Sequence, residues 1–218
     1  MTVFGTPGDD VIFKDDTKVT LGSPVQETIL TFGIETRTIH GGDGNDTITD
    51  PGSDTFLFGD AGNDTIIINA STGSGVTADG GDGSDTYRVV SGALQGPVTI
   101  LDSGVIAAGV VDNVQVIGTP DADILTQTST GFILNGTPIN IGTGMETATV
   151  DGGGGSDQRI VEGTPPIPQV TIVTPSAGRD WFFANLMLDA NNGDAATKKD
   201  KIDDANSNEF GYDIDFWR

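Results

Sequence analysis

Three loops of this chain carry nearly the same nine residues. Gly41-Gly42-Asp43-Gly44-Asn45-Asp46-Thr47-Ile48-Thr49 and Gly80-Gly81-Asp82-Gly83-Ser84-Asp85-Thr86-Tyr87-Arg88 fit the pattern G-G-x-G-x-D-x-U-x, in which U is a large apolar residue. Gly59-Asp60-Ala61-Gly62-Asn63-Asp64-Thr65-Ile66-Ile67 fits with one Gly replaced. Weaker copies begin at Gly5 (GTPGDDVIF), Gly118 (GTPDADILT) and Gly152 (GGGGSDQRI). Glycine permits positive φ and hence a tight turn with inward-pointing carbonyls. The x-U-x that follows is a short strand with one buried side chain. Turn and strand then repeat, which predicts an all-β solenoid whose Asp residues line an edge.

The loops also predict a chemistry. Backbone carbonyls and carboxylates, without His or Cys, suit calcium and suit zinc poorly. The candidate metal-ligating residues are Asp10, Gly41, Gly42, Asp43, Gly44, Asp46, Asp54, Gly59, Gly62, Asp64, Gly80, Gly81, Gly83, Asp85, Asp123 and Asp157. The six motif copies resemble the RTX, or haemolysin-type, calcium-binding repeat family. That resemblance implies a calcium-stapled parallel β-roll, with several Ca²⁺ ions stacked between turns.

Composition agrees with a cation partner. The net charge is −22, from 32 acidic and 10 basic residues. Nucleic acids and anionic membranes need clustered Lys and Arg, so neither is expected as a partner. Apolar triplets such as Val11-Ile12-Phe13, Phe56-Leu57-Phe58 and Ile66-Ile67-Ile68 argue against disorder. There is no cysteine, which suits a secreted protein held by metal rather than disulfides. No apolar run approaches the length of a membrane span. Met1 leads directly to the loop at Gly5, so no cleavable signal peptide is expected in this chain.

The loop acids serve as a ruler. Asp10 to Asp46 is 36 residues, Asp46 to Asp64 is 18, and Asp64 to Asp85 is 21. Glu27 falls between the first two and precedes Thr28-Ile29-Leu30 as the Asp residues precede their strands. Asp10, Glu27, Asp46, Asp64 and Asp85 are therefore expected along one edge, with Asp54 as the best loop of the opposite edge. Residues 1–90 read as a β-roll of about 18-residue coils. Residues 91–163 read as broader coils of the same solenoid, or as a separate β-sandwich, with the ruler continuing through Asp123 and Asp157. Asn135-Gly136 between apolar runs predicts a hairpin with a type I′ turn.

Gly163-Thr164-Pro165-Pro166-Ile167-Pro168 cannot feed a central strand, so residues 164–175 are expected as a linker or an edge crossing. Residues 176–218 read as a C-terminal capping module with Trp181-Phe182-Phe183 and Leu186-Met187-Leu188 as its core. Phe210, Tyr212, Ile214 and Phe216 alternate with polar residues, as in a half-buried strand. This segment resembles the DWFFAN-type ends of large secreted bacterial repeat proteins. Its tail fits a capping strand and a C-terminal export signal equally well.

Catalytic patterns find little support. His40 is the single histidine and has no H-E-x-x-H partner; there is no G-x-S-x-G elbow and no Cys nucleophile. Arg37, Arg88 and Arg159 are expected at the surface. The stretch from Asp189 to Asp200 half resembles an EF-hand loop, but its Gly is displaced and its last ligand is Asp, which favours a plain Asn-Gly turn. Four N-x-S/T matches begin at Asn45, Asn63, Asn69 and Asn135; two lie in the loops and one in the hairpin, so structure accounts for them better than glycosylation. The expected function is a non-enzymatic, calcium-dependent extracellular structural or adhesin module that folds on binding calcium outside the cell. The alternatives are a filament or surface-layer subunit stacking on copies of itself, and a secretion tail of a larger parent enzyme.

Overall fold

The computed structural model describes residues 1–15, 17–22, 27–30, 36–50, 55–71, 74–105, 108–173 and 181–184. All regular structure among them is β-strand. In chain order the strands are β1 (Thr2–Phe4), β2 (Val11–Lys14), β3 (Lys18–Leu21), β4 (Glu27–Leu30), β5 (Arg37–Asp43), β6 (Thr47–Asp50), β7 (Thr55–Ala61), β8 (Thr65–Ser71), β9 (Val76–Asp82) and β10 (Thr86–Leu94). They continue as β11 (Val98–Leu101), β12 (Asn113–Ile117), β13 (Ile124–Thr128), β14 (Gly131–Leu134), β15 (Thr137–Ile141), β16 (Thr147–Asp151), β17 (Gln158–Val161), β18 (Gln169–Val173) and β19 (Trp181–Ala184).

The strands form two mostly parallel sheets. The first runs β1-β5-β7-β9-β11-β15-β14-β13-β17-β19, and the second runs β18-β16-β12-β10-β8-β6-β2-β3-β4. From β5 to β13 each successive strand changes sheet. Alternation along each strand explains the core. Ile12, Ile48, Ile66, Tyr87, Val114 and Ala148 occupy one register column of the second sheet and are buried. Ile39, Leu57, Ala78, Ile100 and Ile141 form the matching column of the first sheet. All belong to one apolar cluster between the sheets. The U residue of each good motif copy is thus the side chain that points inward.

Two departures from uniform alternation change the ruler. The first follows β2. Asp15 Oδ1 accepts from the Thr17 N–H (2.8 Å), the Thr17 hydroxyl (2.8 Å) and the Lys18 N–H (3.0 Å), which closes a reverse turn. The chain therefore doubles back beside β2 instead of crossing to the first sheet. β3 and β4 are antiparallel additions to the second sheet, and β2 pairs directly with β6. Glu27 begins β4, so it is not a station between Asp10 and Asp46, contrary to the spacing argument.

The second departure is the antiparallel meander β13-β14-β15 in the first sheet. Asn135 and Gly136 have φ of 51° and 85°, as the Asn-Gly hairpin requires. The boundary expected at residue 90 falls inside β10, which pairs with β8 on one side and β12 on the other. The proline-rich stretch crosses from β17 in the first sheet to β18 in the second, with Pro165 and Ile167 buried. Trp181-Phe182-Phe183, expected in a separate module, lie in β19 and extend the first sheet through parallel pairing with β17. Leu186–Leu188, the Asp189–Asp200 stretch and the alternating strand Phe210–Phe216 lie outside the described residues.

Basic residues also depart from expectation. Arg37 is buried rather than on the surface, while Arg88 is exposed and Arg159 donates to Gln127 Oε1 at 2.7 Å. Lys14 and Asp50 form a wholly buried ion pair at 3.0 Å between β2 and β6.

Candidate metal centre

The turns leading from the first sheet to the second carry Asp10, Asp46, Asp64, Asp85, Asp112 and Glu146, each directly before its strand. Their side chains form a ladder. The Asp10 N–H donates to Asp46 Oδ1 (2.7 Å), the Asp46 N–H to Asp64 Oδ1 (2.7 Å) and the Asp64 N–H to Asp85 Oδ1 (2.8 Å). The Asp85 N–H donates to Asp112 Oδ1 (2.7 Å) and the Asp112 N–H to Glu146 Oε2 (2.7 Å). Each acid from Asp46 onward thereby ties its turn to the preceding one.

Asp123 and Asp157 are not on this edge. They lie in turns from the second sheet back to the first, where the Asp123 N–H donates to Asp157 Oδ1 at 2.9 Å. Asp112 and Glu146 hold the places the ruler assigned to them. The ladder steps there are 27 and 34 residues, so a fixed spacing could not find these two acids. The usable signal was an acid directly before an alternating strand, as in Asp112 before Asn113-Val114-Gln115-Val116.

The second carboxylate oxygen defines the chemistry. Asp46, Asp64 and Asp85 are each only 1 % exposed. Their Oδ2 atoms are buried and accept no hydrogen bond. Each Oδ2 lies over the first glycine of its own loop. A Cβ on Gly41, Gly59 or Gly80 would stand 2.2, 2.2 or 2.1 Å from it. The carbonyl of the next turn reaches the same place, since Gly59 O would be 2.7 Å from a Gly41 Cβ and Gly80 O 2.4 Å from a Gly59 Cβ. Oxygen atoms without a donor thus pack against the glycine backbone, where a side chain could not fit.

The electrostatics follow from that arrangement. Burial, reinforced by neighbouring carboxylates, raises Asp46 above the usual carboxylate range and pushes Asp64 up to about 6, Asp85 to about 7 and Asp112 to about 6. A buried carboxylate oxygen lacking a donor is satisfied by a proton or by a hard cation. The donor set of carboxylates and carbonyls fits calcium or magnesium rather than a softer ion. No three His, Cys, Asp or Glu side chains converge on one point among the described residues, so carbonyls would have to supply most of the ligands.

Gly42, Gly44, Gly62, Gly81 and Gly83 all have positive φ, and Asp60, where a Gly is replaced, is held at φ 75°. Asp43 is exposed. Asp10 and Asp123 turn their Oδ2 onto their own loops, accepting from the N–H of Thr6 (2.5 Å) and Thr119 (2.6 Å). Asp54 lies outside the described residues. A second ladder went unseen in the sequence. Asp9 Oδ1 accepts from the Asn45 N–H, Asn45 Oδ1 from the Asn63 N–H and Asn63 Oδ1 from the Ser84 N–H, each at 2.8 Å. The asparagines of two N-x-T matches are thus committed to the turns.

On the outer face of the first sheet, Phe4, His40 and Phe58 stack at ring-centroid spacings of 4.7 Å. His40 Nδ1 lies 2.9 Å from Asp60 Oδ2. Beyond Phe58 a cleft of about 240 Å³ is lined by Asp60, Asp79, Asp82 and Ser103. Comparison with known protein families, curated proteins and solved structures finds no match to this chain.

Proposed function

We propose that this chain is a calcium-dependent, non-enzymatic structural module of an extracellular protein, wound as a β-roll. The observation that carries the reading is the set of buried, donor-less Oδ2 atoms of Asp46, Asp64 and Asp85. Each packs against the first glycine of its loop, and at Gly41 and Gly59 the carbonyls of Gly59 and Gly80 approach the same place. The carboxylates of Asp46, Asp64 and Asp85 and those two carbonyls would hold the ions. Bound calcium supplies the positive charge that stacked acids need to stay ionised inside a fold. Without it, burial and mutual repulsion oppose folding; with it, binding free energy becomes folding free energy. Calcium is scarce in cytosol and abundant outside cells, so such a chain folds after export.

Calcium titration followed by circular dichroism and light scattering tests this. The expected result is a cooperative rise in β signal with a midpoint on the order of 10⁻⁴–10⁻³ M, reversed by EDTA. A full β spectrum in EDTA, with no calcium uptake, overturns it.

One observation favours self-assembly as a second reading. β1 ends the first sheet with one edge unpaired by any described strand, and its last residue, Phe4, is 66 % exposed. An open edge with an apolar residue invites strand addition from a second copy. Electron microscopy of the calcium-loaded protein separates fibres from dispersed particles.

A further inference from the structure

The six motif copies divide by their second residue. In the loops beginning at Gly41, Gly59, Gly80 and Gly152 that residue is Gly42, Asp60, Gly81 or Gly153, all at positive φ. In the loops beginning at Gly5 and Gly118 it is Thr6 or Thr119, and neither has positive φ. The cause is local. Threonine is β-branched and avoids positive φ. Pro7 and Pro120 follow, and a residue before proline is driven to the extended region. Reversing the sign of φ at this residue flips the peptide plane that joins it to the first glycine, as between type I and type II turns.

The flip changes what the carboxylate sees. In the Gly-Thr-Pro loops the threonine N–H points at the acid. Asp10 Oδ2 receives the Thr6 N–H at 2.5 Å and the Thr6 hydroxyl at 2.9 Å. Asp123 Oδ2 receives the Thr119 N–H at 2.6 Å, with the Thr119 hydroxyl at 3.1 Å. In the Gly41, Gly59 and Gly80 loops the equivalent Oδ2 has no donor. The rest of the turn is alike. Gly41 O approaches the Gly5 Cβ position as Gly59 O approaches that of Gly41, and Gly152 O does the same at Gly118.

We infer that the Gly-Thr-Pro loops are cation-independent versions of the same turn, in which the N–H and hydroxyl of Thr6 and Thr119 take the place of the ion that Asp46, Asp64 and Asp85 require. The inference rests on the calcium reading above and narrows it. The ion sites belong to the consecutive turns at 41–46, 59–64 and 80–85. Asp10 and Asp123 close their turns without metal, one on each edge. Proline in the third position of a loop copy then marks a turn that needs no ion.

The test counts bound calcium per chain by equilibrium dialysis and elemental analysis, at saturating calcium, on the full-length protein. The variants are Asp64→Asn, Thr6→Val and Thr119→Val. Asn and Val preserve shape, and the valines remove only a hydroxyl. Asp64→Asn is expected to lose at least one ion. Thr6→Val and Thr119→Val are expected to bind as many ions as the wild type while lowering the melting temperature in saturating calcium. A lower ion count in either valine variant overturns the inference while leaving the calcium reading intact. A wild-type chain that binds no calcium overturns both.

Discussion

The backbone N–H of Asp46 donates to Oδ1 of Asp64 at 2.7 Å, while Asp64 Oδ2, buried in the same carboxylate, has no donor. One oxygen holds the neighbouring turn and the other has no donor; in the proposed reading it takes a cation. This division of labour recurs at Asp46 and Asp85, and it sets the outcomes below.

Asp64→Asn should change sign with calcium. The amide keeps an acceptor for the Asp46 N–H and removes a buried charge. In EDTA the variant should therefore keep more β signal than the wild type. In saturating calcium it should melt lower, by about 2–4 °C for each kcal/mol of ion binding lost. A change of the same sign in both conditions, read by circular dichroism and calorimetry, counts against an ion at this carboxylate.

Metal-free stability should fall as pH rises. Burial, with the adjoining carboxylates, places folded-state values of about 6 for Asp64 and Asp112 and about 7 for Asp85, against 3.8 for an ordinary Asp. Acids raised in the folded state bind protons more tightly there than in the unfolded chain. Their stabilising contribution is complete below about pH 4 and is lost as pH climbs through 6 to 7. The β signal remaining in EDTA should thus fall between pH 5 and pH 8, and calcium should flatten the slope. A β signal in EDTA that grows with rising pH would falsify the assignment of these raised values.

Gly41→Ala and Gly8→Ala should differ sharply. A Cβ at Gly41 would stand 2.2 Å from Asp46 Oδ2 and 2.7 Å from Gly59 O, whereas one at Gly8 meets nothing within 4 Å. Gly41→Ala should cost several kcal/mol, on the order of a severe overpacking, and weaken calcium binding. Gly8 does not have positive φ, so Gly8→Ala should be neutral or stabilising by up to about 1 kcal/mol. Chemical denaturation of both in calcium decides it.

The buried Lys14–Asp50 pair offers a control away from the acid ladder. Lys14→Met removes the cation from a carboxylate with no exposure and should cost about 3–5 kcal/mol in saturating calcium, with the number of bound ions unchanged. The double variant Lys14→Met/Asp50→Leu should recover much of that loss. A lower ion count in Lys14→Met would tie this pair to the acid ladder instead.

Much of the fold was legible because it depends on residues acting locally. Glycine at the turn positions, alternation at Thr47-Ile48-Thr49 or Thr86-Tyr87-Arg88, and Asn135-Gly136 each specify a backbone conformation by their own sterics. From them the sequence alone determined an all-β chain of short strands with inward-facing U residues and acids at the turns. It did not determine which edge an acid occupies. The reverse turn at Asp15, the long connection of residues 102–112 between β11 and β12, and the meander β13-β14-β15 add length without altering any motif copy, so equal spacing along the chain ceased to mean equal position in space. That is why Glu27 left the ladder, Asp123 and Asp157 moved to the other edge, and Asp112 and Glu146 took their places. The tertiary structure also decided which carboxylates lack a donor. That property belongs to a peptide plane in one turn and a carbonyl in the next, and the two meet only when turns far apart in sequence are stacked.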